Sequence, residues 1–509
     1  MAKVIGIDLG TTMSVMAYVD EMGRPVIIPN AEGQNITPSV VMIRDAERVI
    51  GRRAKNAAVA FPKRVAQFVK REMIRPDWVF KDESGKPHRP EELSALILKK
   101  LKQDAEKHLK EEVKKVVITV PAYFGDFERQ RTKQAGEIAG FEVLDIINEP
   151  TAAAIAYGIR QAQKDMTILV YDLGGGTFDV TVMKVSAGTG ELRVLASNGN
   201  KFMGGADFDQ AICSFFAKQF QAEHHVEPLV NLQTYQDFRD RAEAAKTDLS
   251  ADVEAYVNLT AEGKVMNIEL TRAQVEKLIK PYIDQTQSLT EDVLADASLD
   301  WGQVDKVLLV GGSTRIPLVQ KMVKELTGKE PEMSFNPDEV VAMGAAIYAA
   351  GLGGEVVRDE RGNAIAAIKV HNVTAHSLGI IAKDNTATDK NFKLIQRNTE
   401  IPATGEDIFT TIEDNQMVLK IQIVQGEYDN PDLCTKVGDA GFLRGIPPKP
   451  KGEPQIKVWL SYDASGIIHL RARELETGIE LNTKIENKAL LSGAEAKKAA
   501  QAVAALKIT

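Results

Sequence analysis

Two short segments of the chain combine an aspartate with glycines and threonines in a way that suits phosphate binding. Residues 4–12 read VIGIDLGTT and residues 169–177 read LVYDLGGGT, so in both an apolar run delivers an aspartate, Asp8 or Asp172, into a Gly/Thr turn. Glycines let backbone N–H groups approach a phosphate closely, and Mg²⁺ bridges a few carboxylates to phosphates. One such turn alone favours an ordinary hairpin. Two turns in matched context predict a phosphate and magnesium site between two related lobes.

Two further elements could complete a nucleotide site. Residues 310–315 read VGGSTR and again follow an apolar run, so their backbone could line a site for a sugar or base, although a plain strand-to-helix turn fits equally well. Glu243, Lys246 and Ser250 fall on one face of a predicted helix, a pattern that by itself is more often a solvated face. The chain has neither a P-loop nor the glycine signature of a Rossmann unit.

Composition and charge exclude several classes of protein. The 509 residues carry 63 Lys and Arg against 71 Asp and Glu, a net charge of −8, without a basic block, which argues against nucleic acid or an anionic membrane as a partner. Cys213 and Cys434 are too few and too far apart for a disulfide framework or a Cys-based zinc site, and His224-His225 lacks further ligands nearby. No segment approaches the ~20 apolar residues of a membrane span, and the N-terminus does not resemble a secretory signal. These features predict a cytoplasmic protein.

The elements that position these motifs follow an α/β pattern up to about residue 350. Short β-rich runs alternate there with long amphipathic stretches, and the total length predicts about three domains or lobes. The predicted buried strands and helices are residues 116–120, 168–171 and 307–310, and residues 91–110, 129–139 and 238–249, respectively.

The pattern changes after residue 350. Residues 351–363, glycine followed by charge, are typical of a linker. Residues 419–423 and 456–462 then alternate apolar and polar side chains, and residues 463–466 turn the second run into another strand, which predicts an antiparallel hairpin with one buried face. The segment from Ser492 onward predicts the start of a helix that stops early.

A family resemblance follows from the combined motifs, which occur in one order and cover nearly the whole chain. The chain resembles the heat-shock protein 70 (DnaK-type) chaperone family at residues 5–12, 120–124, 148–154, 171–179, 204–209, 308–317 and 336–339, and again at residues 377–380, 413–416 and 424–427.

The resemblance implies an α/β actin-like (ribonuclease-H-like) two-lobed ATPase domain followed by an all-β sandwich. The corresponding divisions are an ATPase domain at residues 1–352, a linker at 353–373, a peptide-binding sandwich at 374–490 and the start of a truncated C-terminal helix at 491–509. The chain then resembles a short form of the family without the C-terminal helical lid.

The resemblance also implies the site residues. Asp8 and Asp172 would hold Mg²⁺, with Glu149 and Asp179 close by, and K⁺ is a further possible ion. The expected catalytic residues are Lys70, Glu149, Asp179 and Thr177. The expected ATP/ADP-binding residues are Gly10, Thr11, Thr12, Gly174, Gly175, Gly176, Gly204, Gly205, Glu243, Lys246, Ser250, Gly311, Gly312, Ser313, Arg315 and Asp338. Pro121 is expected to relay nucleotide state. The expected peptide-binding residues are Ile380, Ile401, Phe409, Gln416, Leu419 and Ile421, of which Ile401 and Ile421 could equally be sandwich core.

The implied function is an ATP-dependent molecular chaperone of protein folding and the stress response, expected to be monomeric. Its partners would be unfolded or extended polypeptides, a J-domain co-chaperone and a nucleotide-exchange factor. Several positions depart from the family. The linker at residues 368–372 is less apolar and lacks the family's acid, and Asp145 replaces an arginine used by J-domains. Lys383 and Ile412 occupy positions that normally arch over the peptide.

Two other functions remain open from the sequence. A nucleotide-switched interaction protein with one dedicated partner and altered coupling would also fit these departures. A small-molecule kinase of the same ATPase superfamily is less favoured, because a β sandwich has no role in a sugar kinase.

Overall fold

The computed structural model describes residues 3–44, 47–161, 164–186, 190–358, 362, 364, 368–463, 467–485 and 489–509. Parts of the predicted linker, and the turn predicted at residues 464–466, lie outside the described residues. Within the described ranges, no helix has both the length and the apolar character needed to cross a membrane. The described α-helices are α1 (Arg52–Ala57), α2 (Pro90–Leu109), α3 (Asp126–Ile138), α4 (Glu149–Gln161), α5 (Gly205–His224), α6 (Leu232–Ala251), α7 (Arg272–Asp296), α8 (Pro317–Thr327), α9 (Val340–Gly353) and α10 (Gly493–Ala505).

The strands are more numerous and mostly short. The described β-strands are β1 (Lys3–Leu9), β2 (Met13–Val19), β3 (Pro25–Ile27), β4 (Ile36–Pro38), β5 (Val41–Arg44), β6 (Glu47–Ile50), β7 (Val65–Ala66), β8 (Phe80–Lys81), β9 (Pro87–His88), β10 (Val113–Val120), β11 (Glu142–Asn148), β12 (Met166–Leu173), β13 (Phe178–Ser186), β14 (Glu191–Asn200), β15 (Glu254–Ala261), β16 (Lys264–Thr271), β17 (Lys306–Val310), β18 (Lys369–His371), β19 (Leu378–Lys383), β20 (Asp389–Ile395), β21 (Ala403–Thr410), β22 (Val418–Gln425), β23 (Thr435–Arg444), β24 (Gln455–Tyr462), β25 (Ile468–Glu474), β26 (Glu480–Lys484) and β27 (Lys507–Ile508). The three strands and three helices predicted from the sequence all fall within these elements, with boundaries shifted by a few residues.

Two mixed sheets carry the repeated motif. The first has the order β11-β10-β1-β2-β3 with β4 also beside β2, and the second has the order β17-β12-β13-β14-β18. In each sheet the strand that ends in the motif aspartate is parallel to one neighbour and antiparallel to the strand that follows the turn. The repeat predicted from the sequence is therefore a repeated strand–turn–strand unit. We call residues 3–148 the first lobe and residues 164–339 the second lobe.

Helices α4 and α9 pack between the two sheets. One core joins Val4 of the first sheet and Val170 of the second sheet to Ala153 of α4 and Ala345 of α9. At the helix crossing, a Cβ on Gly344 would lie 1.7 Å from the carbonyl oxygen of Ala152. Only glycine permits this close approach, so the spacing of the two sheets depends on small residues along both helices.

The later strands form a β sandwich. Two four-stranded sheets, with the orders β20-β19-β22-β23 and β21-β24-β25-β26, share one apolar core. The predicted hairpin is confirmed: β24 and β25 are antiparallel, and alternate residues of β24, such as Val458 and Leu460, are buried. Side chains from the two facing sheets thus fill a common interior, as expected for aligned sandwich packing.

The linker pattern predicted at residues 351–363 begins too early, and the linker start implied at residue 353 falls on the last residue of α9. Helix α9 continues to Gly353, so the segment Gly351-Leu352-Gly353 is helical. The helix ends because Gly354 takes the left-handed conformation, with φ of 77°, and donates its N–H to the carbonyls of Ala350 and Gly351. These glycines therefore terminate a helix.

The last part of the segment that leads into the sandwich, residues 369–371, pairs with a strand of the second lobe. Strand β18 pairs in parallel with β14. The His371 ring lies between two carboxylates, with Nδ1 2.9 Å from Glu400 Oε1 and Nε2 3.1 Å from Glu191 Oε1. Polar contacts thus hold the segment in which the sequence showed fewer apolar residues.

The C-terminal segment packs on the first lobe. Ser492 caps α10, in the segment where the sequence predicted the start of a helix, and Ala499 and Val503 lie in the first-lobe core. Lys99 of α2 donates to the carbonyls of Val503 and Ala504 at 2.6 and 3.1 Å, as a cation should at a helix C-terminus. The chain then adds β27 in parallel to β6, which the sequence pattern did not predict.

Candidate active site

A cavity of about 540 Å³ lies between the two lobes and collects most of the predicted nucleotide-site residues. The predicted residues that line it are Asp8, Gly10, Thr11, Thr12, Lys70, Glu149, Asp172, Gly174, Gly175, Thr177, Gly205, Glu243, Lys246, Ser250, Gly311, Gly312, Ser313, Arg315 and Asp338. The lining also includes residues that the sequence analysis did not assign, among them Asp209 and Thr247. The volume is in the range of small-molecule and cofactor sites.

The two Gly/Thr turns face each other across this cavity. A Cβ on Gly175 would lie 2.2 Å from Thr12 Oγ1, and a Cβ on Gly176 would lie 2.4 Å from Thr11 Cγ2. Glycine is therefore required where the second-lobe turn meets the first-lobe turn. The contact gives backbone N–H groups and hydroxyls from both lobes access to one ligand, an arrangement suited to a chain of phosphates.

Four carboxylates cluster at the phosphate end of the cavity: Glu149, Asp172 and Asp179 are buried, and Asp8 is partly buried. Asp8 is the penultimate residue of β1, Glu149 begins α4, and Asp172 is directly opposite Asp179 in the β12–β13 pair. Burial, followed by the charge of Glu149, raises the pKa of Asp8 and of Asp179 to about 7. The same two causes, in the same order, raise the pKa of Asp172 well above its usual value. So much buried negative charge calls for a cation.

These carboxylates fit a magnesium ion that keeps water and phosphate ligands. Across the described residues, no three His, Cys, Asp or Glu side chains form a cluster that could ligate a metal by themselves. Mg²⁺ does not require such a cluster, since it usually keeps several waters and takes one or two carboxylates plus substrate phosphates. Asp8 has a fixed orientation, because Thr119 Oγ1 donates to its Oδ1 at 2.9 Å.

Lys70 supplies a buried cation beside the carboxylates. It lies on a six-residue 3₁₀ helix, Val69–Ile74, and its Nζ donates to Glu149 Oε1. The neighbouring Arg71, which the sequence analysis did not assign, donates from Nε to the Gly176 carbonyl at 2.7 Å and pairs with Asp207. The first lobe thus contacts the second-lobe phosphate turn through this short helix.

The predicted helical trio lies at the other end of the cavity. Lys246 Nζ is 2.6 Å from Asp209 Oδ1 and donates to the Gly205 carbonyl at 3.1 Å. Ser250 Oγ donates to the Lys246 carbonyl. Asp209 belongs to a family motif quoted from the sequence, which was the available signal for its position. Its pairing with Lys246 leaves a polar wall suited to a ribose.

The third glycine element, residues 310–315, lies at the same end of the cavity as the helical trio. Gly311 donates its N–H to the Pro337 carbonyl, and Ser313 Oγ donates to the Gly174 carbonyl at 2.9 Å. Arg315 Nη2 donates to Asp338 Oδ2 at 2.7 Å, which holds the flat guanidinium in one orientation. A fixed guanidinium plane beside glycine backbone can stack on an aromatic base.

Four predicted residues lie next to the cavity and do not line it. Gly176 belongs to the second-lobe turn, and Gly204 packs directly against that turn. Asp179 Oδ1 accepts from the Tyr123 N–H at 2.9 Å. Pro121 follows β10 directly and is buried. Asp179 therefore connects the carboxylate cluster to the segment that contains Pro121.

The peptide-binding residues predicted in the sandwich differ in exposure. Ile380 and Ile421 are buried in the sandwich core, whereas Ile401, Phe409 and Leu419 are partly exposed at its edge. Gln416 accepts from the Ile412 N–H at 2.9 Å and donates to the Val418 carbonyl, so it braces the loop between β21 and β22. In this conformation, the partly exposed side chains and this loop are the groups available to a peptide.

One ion pair, which we call the clasp, joins the two lobes beside the cavity. Lys55 of α1 in the first lobe lies 2.5 and 2.7 Å from the two carboxylate oxygens of Glu243 on α6 in the second lobe. Lys55 is not part of any motif, so the sequence provided no signal for it. The clasp must open before a ligand as large as a nucleotide can leave between these two helices.

We expect Lys55→Ala to release ADP about fivefold faster, because a partly exposed ion pair contributes up to about 1 kcal/mol. Stopped-flow fluorescence of a labelled ADP measures the rate. Arg52→Ala changes an exposed cation on the same short helix and should leave the rate unaltered. Equal release rates for both variants and the parent would show that the clasp does not hold nucleotide.

Comparison with known proteins agrees with the geometry. A family model described as "Hsp70 protein" matches residues 4–507. The chain is 45% identical over 523 aligned residues to the chaperone protein DnaK of each of two strains of Thermus thermophilus, covering 97% of this chain and 82% of each relative. The chaperone protein DnaK of Thermotoga neapolitana is 44% identical over 504 residues, with the same coverage.

Proposed function

The chain belongs to the heat-shock protein 70 family, and on that premise we propose how its cavity and its β sandwich divide the work of the protein. It is an ATP-dependent molecular chaperone and an ATPase, which binds nucleotide and unfolded polypeptides. At a finer level, we assign residues 1–352 to an actin-like (ribonuclease-H-like) two-lobed ATPase domain, residues 353–373 to the linker and residues 374–490 to a peptide-binding domain. The cavity in which two Gly/Thr turns meet beside four carboxylates supports this division most strongly.

The proposed hydrolysis uses positioning and charge. Thr11, Thr12 and Thr177, with the glycine backbone around them, hold the phosphates. Asp8 and Asp172 would hold Mg²⁺, which when bound neutralises phosphate oxygens and fixes their geometry. Phosphoryl transfer mainly requires this kind of support from a protein.

Three further side chains act on the reacting atoms in this proposal. Lys70 presents its ammonium to the γ-phosphate, where negative charge must be stabilised during transfer. Glu149, which lines the cavity, and Asp179, which lies next to it, orient the attacking water or accept its proton. The raised pKa of Asp179, about 7, suits proton acceptance near neutral pH.

Contacts between the sandwich and the second lobe provide a route for coupling. Arg397 Nη2 lies 2.7 Å from Asp296 Oδ2 at the end of α7. Asn398 donates to the same aspartate, and its Oδ1 accepts from the Ser197 N–H of β14 at 3.0 Å. Because β14 lies beside the strand that carries Asp179, we propose that nucleotide state changes how the sandwich docks, and that docking changes peptide affinity.

The decisive experiment is ATP-triggered release of a fluorescent, Leu-rich extended peptide, followed by anisotropy. A nucleotide with equal affinity for both conformations shifts nothing, so release reports real coupling. Rapid release on adding ATP supports the proposal. If bound peptide is not released when ATP is added, the proposed coupling is wrong, although the nucleotide site and the peptide site could each still bind their ligand.

A dedicated-partner switch is the second candidate, and one observation favours it. Lys383 Nζ is 3.2 Å from Asp389 and donates to the Ala387 carbonyl, so this side chain is held within its own hairpin. Ile412 is exposed. A peptide array separates the candidates: broad Leu-rich selectivity indicates a chaperone, and a single bound sequence indicates a dedicated switch.

Four further assignments are proposals of the same kind. We propose Mg²⁺ as the metal with K⁺ as a possible second ion, a cytoplasmic location and a monomeric state. We also propose a J-domain partner and an exchange factor. The Asp145 carboxylate accepts from the Tyr348 hydroxyl at 2.9 Å, so a J-domain would meet an acidic, internally bonded side chain where the family commonly offers arginine.

Docking should respond to pH through His376. Its Nε2 donates to the Tyr123 carbonyl at 3.2 Å, its ring contacts the Tyr123 ring, and Lys201 and Arg397 add positive charge nearby. Burial, and then the charge of Lys201, lowers the pKa of His376 to about 3. Undocking exposes the ring and returns it toward the usual histidine value of about 6.5. The docking contribution is therefore full above about pH 6.5 and is lost as the pH falls toward 3.

We expect a pH change from 7.5 to 5.5 to reduce the docking equilibrium constant about tenfold, since each pH unit below the undocked pKa changes it tenfold. Fluorescence energy transfer between a label on the first lobe, which carries Tyr123, and a sandwich label measures docking. His376→Leu removes the titrating group. The difference between the docking-versus-pH profiles of the parent and the variant therefore separates the effect of His376 from any effect of Glu427, Glu400 and His371. Superimposable profiles would contradict the prediction.

A further inference from the structure

A completely buried arginine lies beneath the short helix that carries Lys70. Arg131 of α3 has no exposed surface. Its Nη1 donates at 2.9 Å to the carbonyl of Met73 and at 2.9 Å to that of Arg75, at the end of the 3₁₀ helix Val69–Ile74. One guanidinium nitrogen therefore gathers the carbonyls that end this helix.

The Lys70 helix needs such support. 3₁₀ helices have poorer hydrogen-bond geometry than α-helices and rarely hold their shape alone. On the cavity side, the helix is tied to the second lobe through Arg71 and the Gly176 carbonyl. On the core side, Arg131 contacts it with a charged group, and the Phe127 ring lies under the guanidinium with its centroid 5.0 Å away. The two ties fix Lys70 between the lobes.

Two further charged residues hold Arg131 in place. Its Nη2 is 2.8 Å from Glu91 Oε2, and Glu91 is also fully buried, in the first turn of α2. The other carboxylate oxygen of Glu91 accepts from Arg89 Nε at 2.6 Å, and Arg89 Nη2 donates to the Ala489 carbonyl. A buried arginine without a paired acid would be costly, so Glu91 makes this placement possible.

We propose that Arg131, held by Glu91, is a positioning residue that sets the height and angle of Lys70 at the γ-phosphate. The inference rests on the proposed function, because it assumes that Lys70 contacts that phosphate. Arg131 touches neither substrate nor reacting atoms; it acts through the carbonyls of residues 73 and 75. Small misplacements of a catalytic group cost about 10²-fold in rate, so a loosened helix should be visible in hydrolysis.

The test compares single-turnover ATP hydrolysis with ATP affinity in the full chain. Arg131→Met leaves the fully buried Glu91 with Arg89 as its remaining partner, so the main variant is the double substitution Arg131→Met with Glu91→Leu, which removes both charges of the buried pair. We expect hydrolysis at least about tenfold slower, with the dissociation constant for ATP changed by less than about threefold. Arg131→Lys keeps a positive charge for Glu91 but lacks the two guanidinium nitrogens that contact the carbonyls and Glu91 separately, so it should fold normally and remain slow.

A matched control separates positioning from general damage. Lys100 and Asp104 form another buried ion pair on α2, and their described hydrogen bonds and ion pairs do not involve the Lys70 helix. Lys100→Met with Asp104→Leu should alter thermal stability and leave the hydrolysis rate near that of the parent. Parent-like hydrolysis in the Arg131/Glu91 variant, or parallel loss of rate and affinity in both double variants, would overturn the proposal.

Lys70→Ala distinguishes this failure from failure of the proposed function. If Lys70→Ala hydrolyses ATP as fast as the parent, the role of Lys70 itself is wrong. If Lys70→Ala is slow and the Arg131/Glu91 variant is fast, only the positioning role is wrong.

Discussion

Replacing Lys70 by alanine should lower the single-turnover rate of ATP hydrolysis by about 10²–10³-fold, the usual effect of removing one preorganised group that stabilises transition-state charge. Lys70 is buried, pairs with Glu149 and acts electrostatically on Asp8, Asp172 and Asp179. Its ammonium is therefore the charge best placed to meet the γ-phosphate. Binding of ATP should persist, because the phosphate turns and the nucleoside end of the cavity remain.

Quenched-flow hydrolysis and equilibrium binding of labelled ATP measure the two effects separately. Lys246→Met is the matched comparison, because it removes another cavity cation at the ribose end. We expect it to weaken binding more than it slows hydrolysis, the reverse of Lys70→Ala. A Lys70→Ala variant that binds and hydrolyses ATP like the parent would remove Lys70 from the reaction.

Reversing one charge between the second lobe and the sandwich should abolish most ATP-triggered peptide release. In the parent protein, Asp296 contacts Arg397 at 2.7 and 3.0 Å and accepts a hydrogen bond from Asn398. In Asp296→Arg, a second guanidinium faces Arg397 and the hydrogen bond from Asn398 is lost. Like charges in place of an ion pair cost several kcal/mol at an interface. We expect release at least about tenfold slower, with basal hydrolysis retained because the cavity is unchanged.

Two variants make this result interpretable. Asp296→Arg combined with Arg397→Asp restores an opposite-charge pair and should recover much of the release rate. Asp284→Arg reverses a charge on the exposed face of the same helix, where Asp284 pairs locally with Lys280, and should release peptide normally. If Asp296→Arg itself releases peptide at the parent rate, this contact plays no part in coupling.

The sequence predicted the composition of the cavity because its residues come in contiguous motifs. Asp8 and Asp172 each lie one residue before the end of a strand that leads into a Gly/Thr turn, and the structure contains two equivalent strand–turn–strand units. If both turns bind the phosphates of one ligand, the fold must place them next to each other. The contacts of Gly175 with Thr12 and of Gly176 with Thr11 are the outcome.

Residues outside motifs could not be predicted, because their roles depend on partners far away in the chain. Lys55 acts through Glu243, and Arg131 acts through Glu91 and the carbonyls of the Lys70 helix. Neither has a local pattern that distinguishes it from a surface lysine or a solvated helix arginine. Their significance arises only from tertiary packing.

The linker shows the same limit. Residues 368–372 have lost apolar character, which from the sequence suggested weakened coupling. In the structure, the loss is offset by His371, whose ring lies between Glu191 and Glu400, and by pairing of β18 with β14. Neither carboxylate is near the linker in sequence. The ATP-triggered release assay decides whether these polar contacts transmit nucleotide state.

The docked C-terminal segment connects the sandwich back to the first lobe, so the two lobes and the sandwich form a closed ring of contacts. The sandwich is joined to the second lobe through β18 and to the first lobe through α10 and β27, while the two lobes meet at the cavity. In such a ring, the angle between the lobes cannot change without deforming one of the joints. The sandwich therefore resists changes in the angle between the lobes. If either joint is broken, the other joint and the direct docking contacts of the sandwich, such as Arg397 with Asp296 and His376 with Tyr123, still hold it against the lobes.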